Sequence, residues 1–194
     1  IGTHDFSFPL TLPSQVPVTI LIRAQTYGSM VLPLRLYKEA TYIDNLANQR
    51  LLLGIYHGGA FFLMLYNIGL FLIVRERLYL YYVLYVASFL VISLNGTGLG
   101  YEYIWRDQRW FQSGALPFIV LLCTFFGILF SRNLLALKER SAALFRASNA
   151  FLLLIAAAFF ACFLLSYTAG TQVSMLVTFL CICFVVIAGC HGIL

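Results

Sequence analysis

Residues 51–74 read LLLGIYHGGAFFLMLYNIGLFLIV, contain no Asp, Glu, Lys or Arg, and are closed at once by Arg75, Glu76 and Arg77. A helix needs about 20 mostly apolar residues to cross a bilayer core of roughly 30 Å, so this stretch is long enough to span. Four more apolar runs follow, at about 78–100, 111–131, 147–169 and 173–194. The expectation is a polytopic membrane protein, an all-α helical bundle whose first partner is the lipid bilayer.

Composition points the same way. The chain has 194 residues, is 62% hydrophobic and only 10% charged, and has a mean hydropathy of +0.92. A soluble domain carries about 25% charged residues. The net charge of +5 is modest, and no basic run is interleaved with aromatics, so nothing indicates nucleic acid as a partner.

Lys and Arg in short loops set the orientation of a multi-pass chain. Arg75 and Arg77 follow the first span, and Arg132, Lys138, Arg140 and Arg146 follow the third. The loop after the second span balances Arg106 and Arg109 against Glu102 and Asp107. The turn after the fourth, placed near Gly170, has no basic residue. The basic loops share one side, which predicts that this side is cytoplasmic and the N-terminus outside. Trp105 and Trp110 then fall at the outer interface, where indole rings anchor well.

Residues 1–45 differ in kind. Three short runs, 6–12 (FSFPLTL), 18–25 (VTILIRAQ) and 32–37 (LPLRLY), are rich in β-formers and are divided by Pro13, Ser14 and Gln15 and by Tyr27, Gly28 and Ser29. They read as β-strands with turns. Three isolated strands are barely stable, so they are expected to complete a sandwich whose other strands lie upstream. Residues 41–49 (TYIDNLANQ) form a polar link, helical in one reading, into the bundle at 46–194. The chain starts at Ile1 and is still apolar at Leu194, which fits a piece of a longer protein.

The order of a strand pair, QTYGSMVLPLRLY, the first two spans and LNGTGLGYEYIW resembles the bacterial seven-transmembrane receptors with diverse intracellular signalling modules (7TM-DISM). The most specific pieces are Gly54-Ile55-Tyr56, Leu65-Tyr66-Asn67, residues 75–82 and residues 95–105. The resemblance implies an extracytoplasmic jelly-roll sensory domain with a carbohydrate-like ligand, seven helices in a bacterial inner membrane with the N-terminus periplasmic, and a cytoplasmic signalling domain in cis. That output would be a diguanylate cyclase, a histidine kinase of a two-component system, or a phosphatase. This chain would hold the end of the jelly roll and the first five helices.

Few residues carry chemistry. Gly54 and Gly58 place small residues on one face of the first span, which serves either close helix contact, including a homodimer, or ordinary packing within one bundle. Asn67 and Asn95 are amides within or near the ends of spans, expected to hydrogen-bond between helices and to take part in packing or signal relay. The run Asn95-Gly96-Thr97-Gly98-Leu99-Gly100 lacks the preceding strand that a phosphate cradle needs, and reads as a helix stop. Cys123, Cys162, Cys181, Cys183 and Cys190 lie in apolar spans and read as small apolar residues; their spacing matches no zinc pattern. His57 is read as internally hydrogen-bonded, with proton sensing as the rival.

No catalytic, cofactor-binding or metal-binding residue is assigned. The spans carry no ionisable carboxylate or amine in their interiors, which disfavours an intramembrane enzyme and an ion-coupled carrier. A signal-transduction receptor is the leading reading, and a transporter for an apolar or small solute is the alternative.

Overall fold

The computed structural model describes residues 8, 10, 18–23, 34–105, 108, 111 and 114–193. Seven helices are defined in this region. They are α1 (Glu39–Val74), α2 (Arg77–Gly96), α3 (Leu99–Tyr103), α4 (Leu116–Leu134), α5 (Leu137–Arg140), α6 (Ala142–Leu164) and α7 (Tyr167–Ile193). Five of them, α1, α2, α4, α6 and α7, are long and apolar enough to cross a membrane.

Among the described residues there is no strand. Residues 18–23 and 34–38 are irregular and exposed, with Leu21 95% accessible. The sandwich expected of residues 1–45 is therefore not visible, and the rest of its three strands lie outside the described residues. A strand is defined by ladder partners, and alternation in sequence supplies none. The polar link at 41–49 is helical and continuous with the first span.

Helix α1 has 36 residues, about 54 Å at 1.5 Å per residue. It is longer than a bilayer core, so its first turns stand clear of the apolar region. It stops at Arg75, whose φ of 57° is left-handed and whose N–H returns 2.8 Å to the Phe71 carbonyl. This is an αL cap formed without glycine. Arg77 then opens α2, with only Arg75 and Glu76 between the helices.

The packed centre is α4, which touches α2, α6 and α7. Leu121 and Ile128 from α4 meet Ile155, Ala158 and Cys162 from α6 and Val177 and Cys181 from α7. Phe118 stacks edge-on to Phe159 at 5.3 Å between ring centres. Hydroxyls join this core as well, with Thr124 on α4 and Thr178 on α7 2.8 Å apart. In hydrocarbon the burial of apolar groups gives little drive, so close packing and such bonds hold the helices together.

Several helix ends differ from the hydropathy reading. The α6–α7 turn lies at Leu165 and Ser166, not near Gly170. Gly170 is inside α7, and a side chain there would meet Cys162 and Pro117 at 3.6–3.9 Å. Helix α4 begins at Leu116 rather than at 111, with Pro117 in its first turn, where a missing N–H costs nothing. Helix α6 begins at Ala142 rather than 147, capped by the Ser141 hydroxyl, which accepts the Leu144 N–H at 3.4 Å.

Candidate functional site

Helix α1 has no buried residue, and it packs chiefly on α2. Its half-buried positions Leu53, His57, Ala60 and Met64 recur at helical spacing and mark the side turned to α2. Polar contacts at and above this seam join α1 to the elements around the end of α2.

The first is His57. Its Nδ1 lies 2.8 Å from the Leu53 carbonyl, one turn back on α1. A carbonyl oxygen only accepts, so Nδ1 carries the proton. Nε2 lies 3.2 Å from the Ser93 hydroxyl on α2, a bond that Nε2 accepts when the imidazole is neutral. The imidazole is thus held at both nitrogens, with Tyr56 edge-on at 5.0 Å. Ser93 had no signal in the sequence, because its pairing depends on which turns of α1 and α2 lie side by side.

The second contact is Arg50 with Glu102. Arg50 Nη2 lies 3.3 Å from Glu102 Oε1, with the two side chains 45% and 19% exposed. The pair ties the N-terminal part of the first span to α3, the short helix after α2. Arg50 and Glu102 enter the sequence reading only as loop charges. Their pairing across 52 positions needs the fold.

Around Glu102 the chain folds into a cap over this end of the bundle. Gly98 has φ 71° and stops α2, as the glycine-rich run predicts. Trp105 lies so close on Gly100 that any side chain at that position would collide with its ring. The ring also tilts against Phe111 at 4.5 Å, and Trp105 is only 9% exposed. It is a packing residue of the cap, and its buried face is not offered to lipid headgroups. Trp110 lies outside the described residues.

The amides divide. Asn95 is buried, and its Nδ2 donates to the Phe111 carbonyl at 3.3 Å, bridging the end of α2 to the cap. Asn67 donates to the Leu63 carbonyl of its own helix at 2.8 Å. This back-bond one turn away satisfies one amide hydrogen without a neighbouring helix. A methyl group placed on Gly54 or Gly58 would meet nothing within 4 Å. Both glycines lie off the α2-facing stripe.

Cys123, Cys162 and Cys181 are buried, and Cys190 is exposed. The thiols of Cys123 and Cys162 donate weakly to the Tyr85 and Gly170 carbonyls at 3.9 and 3.7 Å. No group of three or more metal-capable side chains gathers among the described residues.

Five apolar helices, with α2, α6 and α7 packed on the central α4 and α1 on α2, and without a charged pathway among their described residues, define a multi-pass helical membrane protein. The chain belongs to the 7TM diverse intracellular signalling family, whose model matches residues 49–193. No curated protein and no solved structure matches the chain.

Proposed function

We propose that this segment is the relay of a transmembrane receptor. A ligand, carbohydrate-like in the family's manner, binds an extracytoplasmic jelly-roll domain of which residues 1–45 form the end. The bundle passes the change to a cytoplasmic signalling module in cis, a cyclase, kinase or phosphatase. The segment itself moves and catalyses nothing. The basic loops at 75–77 and 132–146 face the cytoplasm, and the cap around Glu102 faces the periplasm.

The observation that carries this reading is the continuity of α1. One unbroken 36-residue helix runs from the extramembrane link to Val74. A displacement at Glu39 therefore reaches the far side without crossing a joint. Because α1 has no buried residue, it can shift against α2 without opening the α4 core. Relay then amounts to biasing two arrangements of α1, as any two-state switch requires. His57, Ser93, Arg50 and Glu102 hold one arrangement. Asn95 fixes the cap against which α1 moves, while Gly54 and Gly58 mark a face open to a second helix or a second copy.

Charge reversal tests this in the full-length receptor, in membranes, as turnover of labelled ATP and GTP per folded molecule. Arg50→Glu and Glu102→Arg should each shift the basal output by about two- to threefold, a small attraction lost and a similar repulsion gained, and the double swap should restore it. Unchanged output in both single variants would refute the relay. Orientation is tested separately with an impermeant maleimide on spheroplasts. Cysteine at Gln108 should label in intact cells and cysteine at Ala142 only after lysis, and the reverse pattern would overturn it.

A further inference from the structure

A cleft of about 300 Å³ opens at the Arg75 end of the bundle, lined by Arg132, Asn133, Ala136, Lys138, Glu139 and Phe145. Its walls are the end of α4, the α5 turn and the first turn of α6. This volume lies at the small end of the range for ligand pockets. The turn is pinned by Leu137, which is 2% exposed, and by the left-handed Ala136 at φ 46°. The cleft is therefore shaped by packed backbone.

Arg132 is fixed in place. Its Nη1 donates to Asn149 Oδ1 at 2.8 Å, and its guanidinium carbon lies 4.8 Å from the centre of the Phe145 ring. A guanidinium has five N–H donors, so the Asn149 bond leaves donors for an anion. Lys138, also lining the cleft, is exposed and adds a second cation. Glu139 contributes one negative charge, so the three ionised side chains sum to a single positive charge. That balance suits a monoanionic phosphodiester. A free phosphate, which carries nearly two charges at neutral pH, would meet Glu139 unfavourably. The carboxylate can instead accept a hydroxyl from the headgroup. Leu134, 57% exposed on the last turn of α4, supplies an apolar surface beside the cleft.

We propose that this cleft binds the headgroup of an anionic phospholipid of the phosphatidylglycerol type, with the phosphodiester on Arg132 and Lys138 and a headgroup hydroxyl on Glu139. Basic pockets between spanning helices hold anionic headgroups by this chemistry. The site needs only that the helices span a bilayer, and it stands whether or not the receptor relay is correct.

The test is native mass spectrometry of the full chain in detergent, titrated with phosphatidylglycerol, phosphatidylcholine or inorganic phosphate. Wild type should retain one phosphatidylglycerol in preference to phosphatidylcholine. Lys138→Gln, at an exposed position where folding is not at stake, should weaken that binding about fivefold, the worth of one cation near a lipid surface. Arg132→Gln should weaken it at least as much. Arg75→Gln, at the same end of the bundle but outside the cleft, should leave it within twofold. Equal retention of phosphatidylcholine, an equal loss from Arg75→Gln, or no loss from Lys138→Gln would overturn the site. Inorganic phosphate competing at the concentration of the lipid would assign the cleft to a soluble anion and overturn the lipid assignment.

Discussion

Helices α1 and α4 are both apolar and both long enough to span, yet they sit in opposite surroundings. Leu121 on α4 is fully buried, and Ile128 is 2% exposed. On α1, Phe62 is 69% and Ile73 81% exposed, and no residue is buried. The contacts of α4 are mostly apolar and spread over three neighbours, whereas α1 is joined to the rest by one seam and a few polar bonds. A bilayer solvates an apolar face as well as a protein core does, so the same composition serves both. The consequence is mechanical. In the proposed relay, the α4 core resists change and α1 is the element that moves.

The largest expected contrast lies in truncation. Leu121→Ala should lower the unfolding free energy in bicelles by about 2–3 kcal/mol, mostly through the cavity it leaves. Leu72→Ala, at a position on α1 that is 67% exposed, should change it by less than about 0.5 kcal/mol. Equal losses would mean that α1 is packed like α4.

Glycine substitution sharpens the same contrast. Gly100→Ala drives a methyl into the Trp105 ring and should cost about 1–3 kcal/mol by overpacking. Gly58→Ala meets nothing and should leave stability unchanged or slightly raised. In the full-length receptor, Gly58→Leu should alter output per folded molecule if the open face meets a moving partner. Wild-type output would remove that face from the relay.

Smaller effects come from the polar bonds. A double-mutant cycle of His57→Phe and Ser93→Ala should give a coupling of about 0.6 kcal/mol, as for hydrogen bonds between spanning helices. A coupling near zero would leave α1 held by apolar contact alone. The half-exposed Arg50–Glu102 pair should couple by only about 0.3 kcal/mol, and that value should fade in 1 M salt. Salt independence would mean that the pair is more enclosed than its 45% and 19% exposures indicate.

The sequence makes some of this legible and hides the rest for physical reasons. Spans are legible because hydropathy sums over some twenty residues, and a few misplaced side chains do not change the sum. Ends are less so. Arg146 reads as loop, yet it lies inside α6, where its Nε reaches the Ala142 carbonyl and the side chain runs along the helix surface. Pro117 is a start signal for α4 that a count of apolar residues passes over. Gly98 as a stop is readable because positive φ is a local property. The Ser93, Glu102 and Phe111 partnerships are not readable, since each depends on how distant turns are brought level. Gly54 and Gly58 show the converse. Their spacing suggests packing, and the fold turns them away from α2.

Pulsed electron spin resonance on the full chain in nanodiscs tests the central claim, that α1 moves against a fixed core. Labels carried by noncanonical residues avoid the five native cysteines. One pair joins Leu72 on α1 to Leu153 on α6, and the reference pair joins Leu153 to Phe179 on α7; all three positions are exposed. The α1–α6 distance distribution should be at least twice as broad as the reference, and should broaden further with Ser93→Ala and Glu102→Gln together. Two distributions of equal width, unchanged by those substitutions, would contradict the account.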